Sequence, residues 1–338
     1  MSSPPVDSRP KLDFTIAIPT YNGAPRLPAV LDRLRDQTGL GDRQWEIIVV
    51  DNNSQDDTTT VALAYQAQLP ENCTLRCLTE TRQGAAFARQ TAVAQAQSDL
   101  IGFLDDDNLP DVDWIAAAIA FAATHPTAGA IGSHIDPNYE IEPPPEFERI
   151  QPFLAIVNLG AAPRLYDRRT RLLPPSAGLV VRKTAWLASV PDRPILTGRT
   201  ATSMLTGEDL EVLAHIQAQG WEIWHNPAMH LTHAIPRWRL QRDYLIPFMQ
   251  GTGLSRHVTR MLSLEPWQRP FFVIAFWLSD LRRLLVHVGR YGRRSRTDLI
   301  PACETAFLLH CLRSPFYIWW QLGWQNRPPN GQRQRSTP

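Results

Sequence analysis

The chain has 338 residues, of which 43% are hydrophobic, and a formal net charge of +1. This length exceeds one typical domain, so we expect one large α/β domain with an appendage. A net charge this small argues against a general nucleic-acid-binding protein. The charge is unevenly distributed: from Arg256 to the C-terminus there are 13 Arg and four acidic residues, a balance of +9, which leaves −8 for residues 1–255. Such an asymmetry bears on binding partners rather than on the fold.

The cysteines and the N-terminus favour a cytoplasmic protein. Four cysteines are too few for a disulfide scaffold in a chain of this length, and their spacing does not match a zinc site, so we expect reduced thiols. Residues 1–11 are polar and rich in Pro and Ser, without the apolar segment of a signal peptide. They are predicted to be disordered, as are residues 326–338. No run of 18 uncharged residues predicts a transmembrane helix.

The first part of the chain alternates strand and helix patterns, which is typical of a mostly parallel sheet covered by helices. The first strand stops at Pro19, and the second is nearly all apolar, which predicts burial on both faces of the sheet. The predicted strands are 12–19, 45–50, 75–78, 100–104 and 130–134, and the predicted helices are 26–37, 58–68, 84–97 and 116–124.

The most informative stretch lies at the end of the fourth strand, where Asp105, Asp106 and Asp107 follow the apolar run Leu100–Leu104. Ligands of open α/β sheets bind at the carboxyl ends of the strands. Three adjacent carboxylates repel one another, and a hard cation such as Mg²⁺ or Mn²⁺ offsets that repulsion. The stretch therefore predicts a metal and phosphate site; the alternative is a solvated acidic turn that caps the next helix.

Two other strand ends carry candidate ligand-binding groups. The turn Thr20–Gly23 can bring backbone N–H groups and the ring of Tyr21 close to a nucleotide base. Asp51, after the second strand, can accept a hydrogen bond from a ribose or a uracil N–H. An ordinary turn and a helix cap are the alternatives. Arg89, on the helix predicted at 84–97, can pair with a phosphate or with Asp105, or it can lie exposed.

The middle of the chain combines a loop pattern with further candidate elements. Residues 137–175 are rich in Pro and charged residues and are predicted to form a long loop or insertion over the site. In the strand predicted at 176–182, Gly178 either lets a sugar approach the backbone or forms an ordinary bulge. A helix opens at Gly207, and residues 221–233 are predicted to form two short strands followed by histidines.

Together these segments resemble the family 2 glycosyltransferases over about residues 12–235. The matching segments are Ile18–Asn22, Val49–Asp56, Arg82–Gly84 with Ala88-Arg89, Phe103–Asp107 and Thr206–Asp209. The resemblance implies a GT-A fold, in which a mostly parallel, Rossmann-like α/β sheet is flanked by helices. It also implies a UDP- or GDP-sugar donor, a divalent metal and inversion at the anomeric carbon. The catalytic domain is then residues 12–240.

The resemblance also implies roles for the residues that match the motifs. The donor-binding residues would be Pro19, Thr20, Tyr21, Asn22, Asp51, Asn53, Gly84, Arg89, Asp105 and Asp106. Asp107, at the end of the D-x-D pattern, would bind Mn²⁺ or Mg²⁺, with Asp106 as the alternative ligand. A histidine after the last strand completes the metal site in several members, and His233 fits this role better than His230.

A sugar hydroxyl attacks the donor only as a base removes its proton, and the resemblance implies that this base is Asp209. Glu208 would position the base or bind the acceptor. Acceptor binding is predicted for Gly178, Glu208 and Trp238. Processive members of the family have the pattern Q-x-x-R-W, whereas this chain has Ala234 in place of the Gln, so we expect transfer of one sugar per encounter.

The segment Pro266–Trp324 contains five of the eleven Trp and interleaves aromatic and aliphatic residues with arginines. This pattern is typical of helices at a membrane interface. Residues 241–325 are therefore predicted to be a basic, Trp-rich helical region at the cytosolic face of the plasma membrane. The alternative is a pair of amphipathic helices that packs on the catalytic domain or on a second subunit.

The sequence thus predicts an inverting, metal-dependent glycosyltransferase of polysaccharide biosynthesis, with a saccharide or lipid-linked acceptor. Residues Ile235–Arg239 and Gln250–Gly253 are similar to cyanobacterial enzymes of exopolysaccharide (hormogonium polysaccharide) assembly. One alternative is a sugar-nucleotide pyrophosphorylase, which would need a Gly-rich phosphate loop after the first strand, where Pro19–Asn22 stands. The other is a non-catalytic sugar- or lipid-binding protein on the same scaffold.

Overall fold

The computed structural model describes residues 12–168, 172–200 and 204–325, so the two termini predicted to be disordered lie outside the described residues. The strands are β1 (Phe14–Thr20), β2 (Trp45–Asp51), β3 (Cys73–Thr79), β4 (Leu100–Phe103), β5 (Asn108–Pro110), β6 (Ala128–Tyr139), β7 (Arg164–Leu165), β8 (Leu179–Arg182) and β9 (Glu222–Ile235). The helices are α1 (Leu27–Arg35), α2 (Thr58–Ala64), α3 (Ala85–Gln95), α4 (Trp114–Thr124), α5 (Lys183–Ser189), α6 (Glu208–Ala218), α7 (Arg242–Leu262), α8 (Arg269–Tyr291), α9 (Arg294–Thr297) and α10 (Leu299–Gln325).

These strands form one sheet in the order β3-β2-β1-β4-β8-β6-β9-β5, with β7 paired to β9. The strands β1 to β4 are parallel, β8 runs antiparallel to both β4 and β6, and β9 runs parallel to β6. The predicted α/β class and its sheet flanked by helices are confirmed. The carboxyl ends of β1, β2 and β4 meet at one edge of the sheet, which is where the site lies.

Helices cover both faces of the parallel part, as the apolar sequence of β2 predicts. Ile47 and Val49 pack with side chains of α1 and α4, whereas Ile48 and Val50 pack with side chains of α3 and α6. Alternate β2 residues therefore face opposite cores, and the run Ile47–Val50 is apolar because neither face meets water.

The prediction of two short strands at 221–233 is wrong, because β9 is one continuous strand that contains the histidines. The pair Asn226-Pro227 resembles a strand break in the sequence. In the structure the register against β6 shifts, so that Asn226 faces Ser133 and His230 faces His134. A bulge absorbs the extra residues and the chain stays extended. The partner strand β6 likewise continues to Tyr139, into the segment predicted as a loop.

The C-terminal helices divide into a packed part and an exposed part. Residues of α7 and α10 share a core with Phe147, Ile150 and Leu154, so this part packs on the catalytic domain. In α8, by contrast, Asp280 is the buried side chain. Among the described residues, no helix is long and apolar enough to cross a membrane.

Trp114 provides a test of the core. Its buried ring meets Phe14 edge to face at 6.1 Å, and its indole N–H donates to Ser133 Oγ at 2.9 Å. We expect Trp114→Ala to lower the free energy of unfolding in urea by about 3–5 kcal/mol, because it leaves a cavity and removes the hydrogen bond from the indole to Ser133 Oγ. The control Trp267→Ala removes a side chain that is 71% exposed and should have almost no effect. Equal effects of the two substitutions would contradict this packing.

Candidate active site

A cavity of about 960 Å³ lies at the carboxyl ends of β1 and β4. Its floor includes Thr20 and the acidic residues Asp105–Asp107, and the first turn of α6 contributes Glu208 and Asp209. The segment predicted as a loop over the site supplies lining residues around Phe153, and the opposite wall comes from α7 and α8.

Each of the three adjacent carboxylates is paired with an arginine, beginning with Asp105 and Asp106. Arg89, which is buried, lies 3.2 Å from Asp105 Oδ1. Arg26 donates through Nε and Nη2 to the two oxygens of Asp106, each at 2.8 Å, and Thr20 Oγ1 donates to the same carboxylate at 2.6 Å. Asp106 is therefore fully hydrogen-bonded, and these bonds join the end of β1 to the end of β4.

The third carboxylate, Asp107, and the ring of His233 both contact the guanidinium group of Arg239. Arg239 Nη2 lies 2.8 Å from Asp107 Oδ2, and Arg239 Nη1 lies 3.0 Å from His233 Nε2. His233 Nε2 and Asp107 Oδ1 are 3.6 Å apart. Burial alone would raise the pKa of Asp107, but the Arg239 guanidinium, His233 and Arg199 together outweigh burial and lower it.

These contacts change the argument for a metal. Repulsion among the three carboxylates does not require a metal, because Arg26, Arg89 and Arg239 offset it. The donor atoms of Asp107 and His233 nevertheless fit a divalent cation. His233 Nδ1 lies 2.9 Å from the carbonyl of Leu154, and a proton on Nδ1 leaves the Nε2 lone pair directed at the cation. The Arg239 guanidinium stands where an ion would bind.

His230 lies in a separate cluster. Its Nδ1 is 2.8 Å from Asp111 Oδ2 and its Nε2 is 2.9 Å from Asp136 Oδ2, with His134 beside them. His134, Asp136 and His230 have ligand atoms within 4.8 Å of one another, so this group could also hold a metal ion. None of the three lines the cavity, whereas His233 does.

Asp209 is a half-buried carboxylate held by two backbone amides. The N–H of Ser176 donates to Oδ2 at 3.0 Å, and the N–H of Leu210 donates to Oδ1 at 2.8 Å. Burial, followed by the charge of Glu208, raises the pKa of Asp209 to about 6. A carboxylate with such a pKa can take up a proton near neutral pH.

Arg89 joins the acidic cluster to the start of α6. Its Nη1 donates to Glu208 Oε1 at 3.0 Å, while its Nη2 pairs with Asp105. Of the two sequence expectations for its partner, the carboxylate is the one found in the structure. The residue is not exposed, because both acidic groups and the cavity wall surround it.

The predicted donor-binding residues fall into two groups. Those that line the cavity are Pro19, Thr20, Tyr21, Arg89, Asp105 and Asp106. The others support its rim. Asn22 Oδ1 accepts from the N–H of Gln55 at 2.8 Å, and Asp51 Oδ1 accepts from the N–H of Ser54 at 2.9 Å, which are turn contacts.

Gly84 and Asn53 also belong to the rim. The Gly84 N–H donates to Asn52 Oδ1 at 2.8 Å, and its φ of +132° suits glycine. A Cβ at this position would lie 2.4 Å from the carbonyl oxygen of Thr197. Asn53 is exposed with a φ of +69°. Asn52, which the sequence analysis passed over, lines the cavity instead.

The reason for expecting acceptor binding at Gly178 is wrong. Gly178 is buried inside the sheet, where a Cβ would lie 2.1 Å from Leu231 Cδ2 and 2.7 Å from Ser133 Oγ. The absence of a side chain is therefore required by packing, and it leaves no room for a sugar. Glu208 and Trp238, the other predicted acceptor residues, do line the cavity.

Sequence reasoning missed the arginines and the α7 wall. Arg199 donates to the hydroxyl of Tyr244 at 2.6 Å, and both residues line the cavity close to Arg239 and Trp238. Their sequence signal is weak, because single arginines outside a motif do not reveal a distant partner. The excess of Arg in the tail was visible, but it pointed to a membrane and not to this cavity.

The comparisons with known proteins agree with this fold. The family described as Glycosyl transferase family 2 matches residues 15–187, just over half of the chain. The chain is similar to the glycosyltransferase AglE of Haloferax volcanii, with 29% identity over 106 residues, which is 31% of this chain and 34% of that protein. It is also similar to a PGL/p-HBAD biosynthesis glycosyltransferase of Mycobacterium bovis, with 36% identity over 113 residues, which is 33% of this chain and 42% of that protein. The chain thus spans less than half the length of these curated relatives.

Among solved structures, the chain is similar to the mannosyltransferase PcManGT from Pyrobaculum calidifontis in complex with GDP-Man and Mn²⁺. The TM-score is 0.57 at 19% identity, covering 94% of this chain and 91% of that one. The first 349 residues of S. aureus TarS give a TM-score of 0.50 at 16% identity, covering 92% and 91%. At these identities the likeness shows the fold. From the family match over residues 15–187, the chain belongs to glycosyl transferase family 2.

Proposed function

We propose that this chain is an inverting glycosyltransferase, which moves a sugar from a UDP- or GDP-sugar to a hydroxyl of a saccharide or lipid-linked acceptor. The observation that carries the proposal is the position of Asp209, a half-buried carboxylate with a pKa of about 6, in the same cavity as Asp105–Asp107. Family membership and the glycosyltransferase names of the relatives support it. The similarity of residues 235–239 and 250–253 to cyanobacterial exopolysaccharide enzymes favours polysaccharide biosynthesis.

The donor would lie at the β1 and β4 end of the cavity. Tyr21, which is 38% exposed, offers a ring to the base, and Thr20 and Asn52 lie beside it. Arg89 and Asp105 would contact the ribose and the sugar. The GDP-Man and Mn²⁺ named in the PcManGT structure support a nucleotide-sugar as the donor.

Asp107 and His233 would hold Mn²⁺ or Mg²⁺. A bound ion supplies positive charge that stabilises the departing diphosphate. The protein contributes the orientation of the ligands, since the Leu154 carbonyl fixes the His233 ring and Asn108 Nδ2 donates to Asp107 Oδ1 at 3.1 Å. Asp106 is the poorer ligand, because Arg26 and Thr20 already occupy its oxygens.

Asp209 would act as the base. Its carboxylate removes the proton of the acceptor hydroxyl as the oxygen forms a bond to the anomeric carbon and the bond to the diphosphate breaks. The two backbone hydrogen bonds hold the carboxylate in one orientation. A single displacement of this kind inverts the configuration, so no second carboxylate is needed as a nucleophile.

Asp209→Asn tests the base. We expect sugar transfer to fall by about 10²–10⁴-fold, because the amide cannot accept the proton. Affinity for the nucleotide, measured by calorimetry, should change little. Asp113→Asn, an exposed residue outside the cavity lining, is the matched control. If Asp209→Asn transfers sugar as fast as the unmodified protein, the base is another group; if neither protein transfers sugar, the protein is a binding protein.

The pH dependence gives a second readout of the same residue. The base acts as a carboxylate, so kcat/KM should reach a plateau above about pH 7 and fall as the pH decreases through about 6, where Asp209 takes up a proton. The residual activity of Asp209→Asn should lack this acidic limb. An acidic limb that persists in the variant would assign the titration to a different group.

Arg239 and a metal ion would compete for Asp107 and His233. Removing the guanidinium in Arg239→Ala should therefore raise the affinity for Mn²⁺ in the absence of nucleotide, by about tenfold, as measured by electron paramagnetic resonance. Arg237→Ala, an exposed neighbour, is the control. The variant Asp136→Asn removes the separate His134 cluster and should leave this Mn²⁺ site unchanged. A Mn²⁺ signal lost in Asp136→Asn and unaffected by Arg239→Ala would place the ion at that cluster.

We also propose that α8 lies on a membrane surface. Its solvent-facing row contains Phe271, Ile274, Leu278 and Leu285, all more than half exposed, with Arg282 on the same face. A helix with this composition can enter the headgroup region, where anionic lipids attract the arginine. No helix of the described chain spans a membrane, so the contact would be peripheral.

Flotation with anionic vesicles tests this surface. We expect the chain to float with vesicles that contain phosphatidylglycerol, and the double variant Phe271→Ser with Leu278→Ser to float far less, because the buried apolar area is lost. The control Leu187→Ser changes an exposed leucine on α5 and should float normally. Equal flotation of all three proteins, or none for the unmodified chain, would contradict the proposal.

A further inference from the structure

The cavity continues along α7 well beyond the acidic cluster. Residues of α7 line it at regular helical spacing, and the lining ends between α7 and α8. The α7 members are Tyr244, Phe248, Thr252, Arg256, Thr259 and Arg260, and Ser263 directly follows the helix. With a rise of 1.5 Å per residue, these positions extend over about 28 Å. The cavity is therefore a groove with an acidic end and a second end that the donor would not fill.

Arginines dominate this second end. Arg260 is paired with the buried Asp280, at 2.5 and 3.0 Å, and lies over the ring of Phe276 at 4.9 Å. Arg283 Nη1 is 3.9 Å from the same carboxylate. A single Asp280 therefore faces several guanidinium groups, and both of its oxygens are used by Arg260.

Arg256 is left without a partner. Among the described residues its guanidinium makes no hydrogen bond and no ion pair, and its Nε is buried and unsatisfied. Burial and the nearby charge of Arg260 lower the pKa of Arg256, because together they outweigh the attraction of the Asp280 carboxylate. An unpaired, largely desolvated cation is costly. A ligand with anionic oxygens would supply the partner that Arg256 lacks at this end of the groove.

We propose that the Arg256 end of the groove binds a phosphate or diphosphate group of the acceptor. This inference rests on the proposed function, because it assigns the acceptor to the α7–α8 end of the groove and the donor to the acidic end. Guanidinium groups bind phosphate oxygens through paired hydrogen bonds, and Arg256 has its donors free. Sugars without a charged group would leave this arginine unpaired.

The position of α8 favours a lipid as the carrier of that phosphate. One side of α8 contributes Phe276 and Ser279 to the groove, while its other side exposes Phe271 and Leu278 to solvent. A phosphate in the groove would therefore lie one helix diameter, about 10 Å, from an apolar surface. That spacing suits an acceptor sugar joined through a diphosphate to an isoprenoid chain.

Binding of geranyl diphosphate to the full chain tests this site. UDP or GDP with Mn²⁺ is present in excess, so that the donor end is occupied. We expect Arg256→Gln to weaken binding of the probe by about tenfold or more, as expected for loss of charged hydrogen bonds. Arg290→Gln, an exposed residue of α8, removes the same charge and should have no effect. Unchanged thermal unfolding and nucleotide affinity of Arg256→Gln would show that the variant is folded.

Each further result decides one question. Geranyl diphosphate binding more tightly than inorganic diphosphate supports a lipid-linked acceptor, whereas equal binding supports the same site with a phosphorylated saccharide. Equal affinities of Arg256→Gln and the unmodified chain, or equal competition by uncharged geraniol, would overturn the site. The assay needs no sugar transfer, so an absence of transfer by a chain that passes it would count against the proposed function alone.

Discussion

The site is built on pairing between three adjacent carboxylates and three arginines from distant parts of the chain. Asp105–Asp107 end one central strand, and their partners are Arg26 after β1, Arg89 on α3 and Arg239 after β9. Without these partners the carboxylates would repel one another in a partly buried site. The same contacts hold the ends of β1, β4 and β9 against α3 and α6. The same ion pairs therefore neutralise the carboxylates and hold together the elements that form the cavity.

The charge asymmetry of the sequence corresponds to a difference in charge between the two ends of the cavity. The acidic end of the cavity is neutralised by arginines but keeps Asp209, a carboxylate whose pKa is raised to about 6. The basic tail contributes the opposite end, where Arg256 has no counter-ion among the described residues. A donor and an acceptor that both carry phosphate would meet cationic groups at either end, with the base between them. The exposed face of α8 adds a surface that a lipid carrier could share.

Hydrophobic pattern alone predicted most of the sheet, because strands such as β2 are buried on both faces and read as apolar runs. It failed at β9, where Pro227 looked like a break, since the bulge that keeps the strand continuous depends on its neighbour β6. The motif residues Asp107, His233 and Asp209 could be proposed from their order along the chain. Their partners could not, because Arg239 meets Asp107 across 132 positions of sequence and no local pattern encodes that contact. The need for glycine at position 178 could not be predicted from the sequence either, because it comes from Leu231, which packs where a Cβ would lie.

The central claim is that Mn²⁺ replaces the Arg239 guanidinium at Asp107. A crystal structure with UDP or GDP and Mn²⁺ would test this claim most directly. The account predicts that Arg239 leaves Asp107, that Mn²⁺ lies between Asp107 and His233, and that the diphosphate contacts the ion in the cavity that holds Asp209. Nucleotide bound elsewhere, or bound in the cavity while Arg239 still pairs with Asp107 and no ion is present, would contradict it.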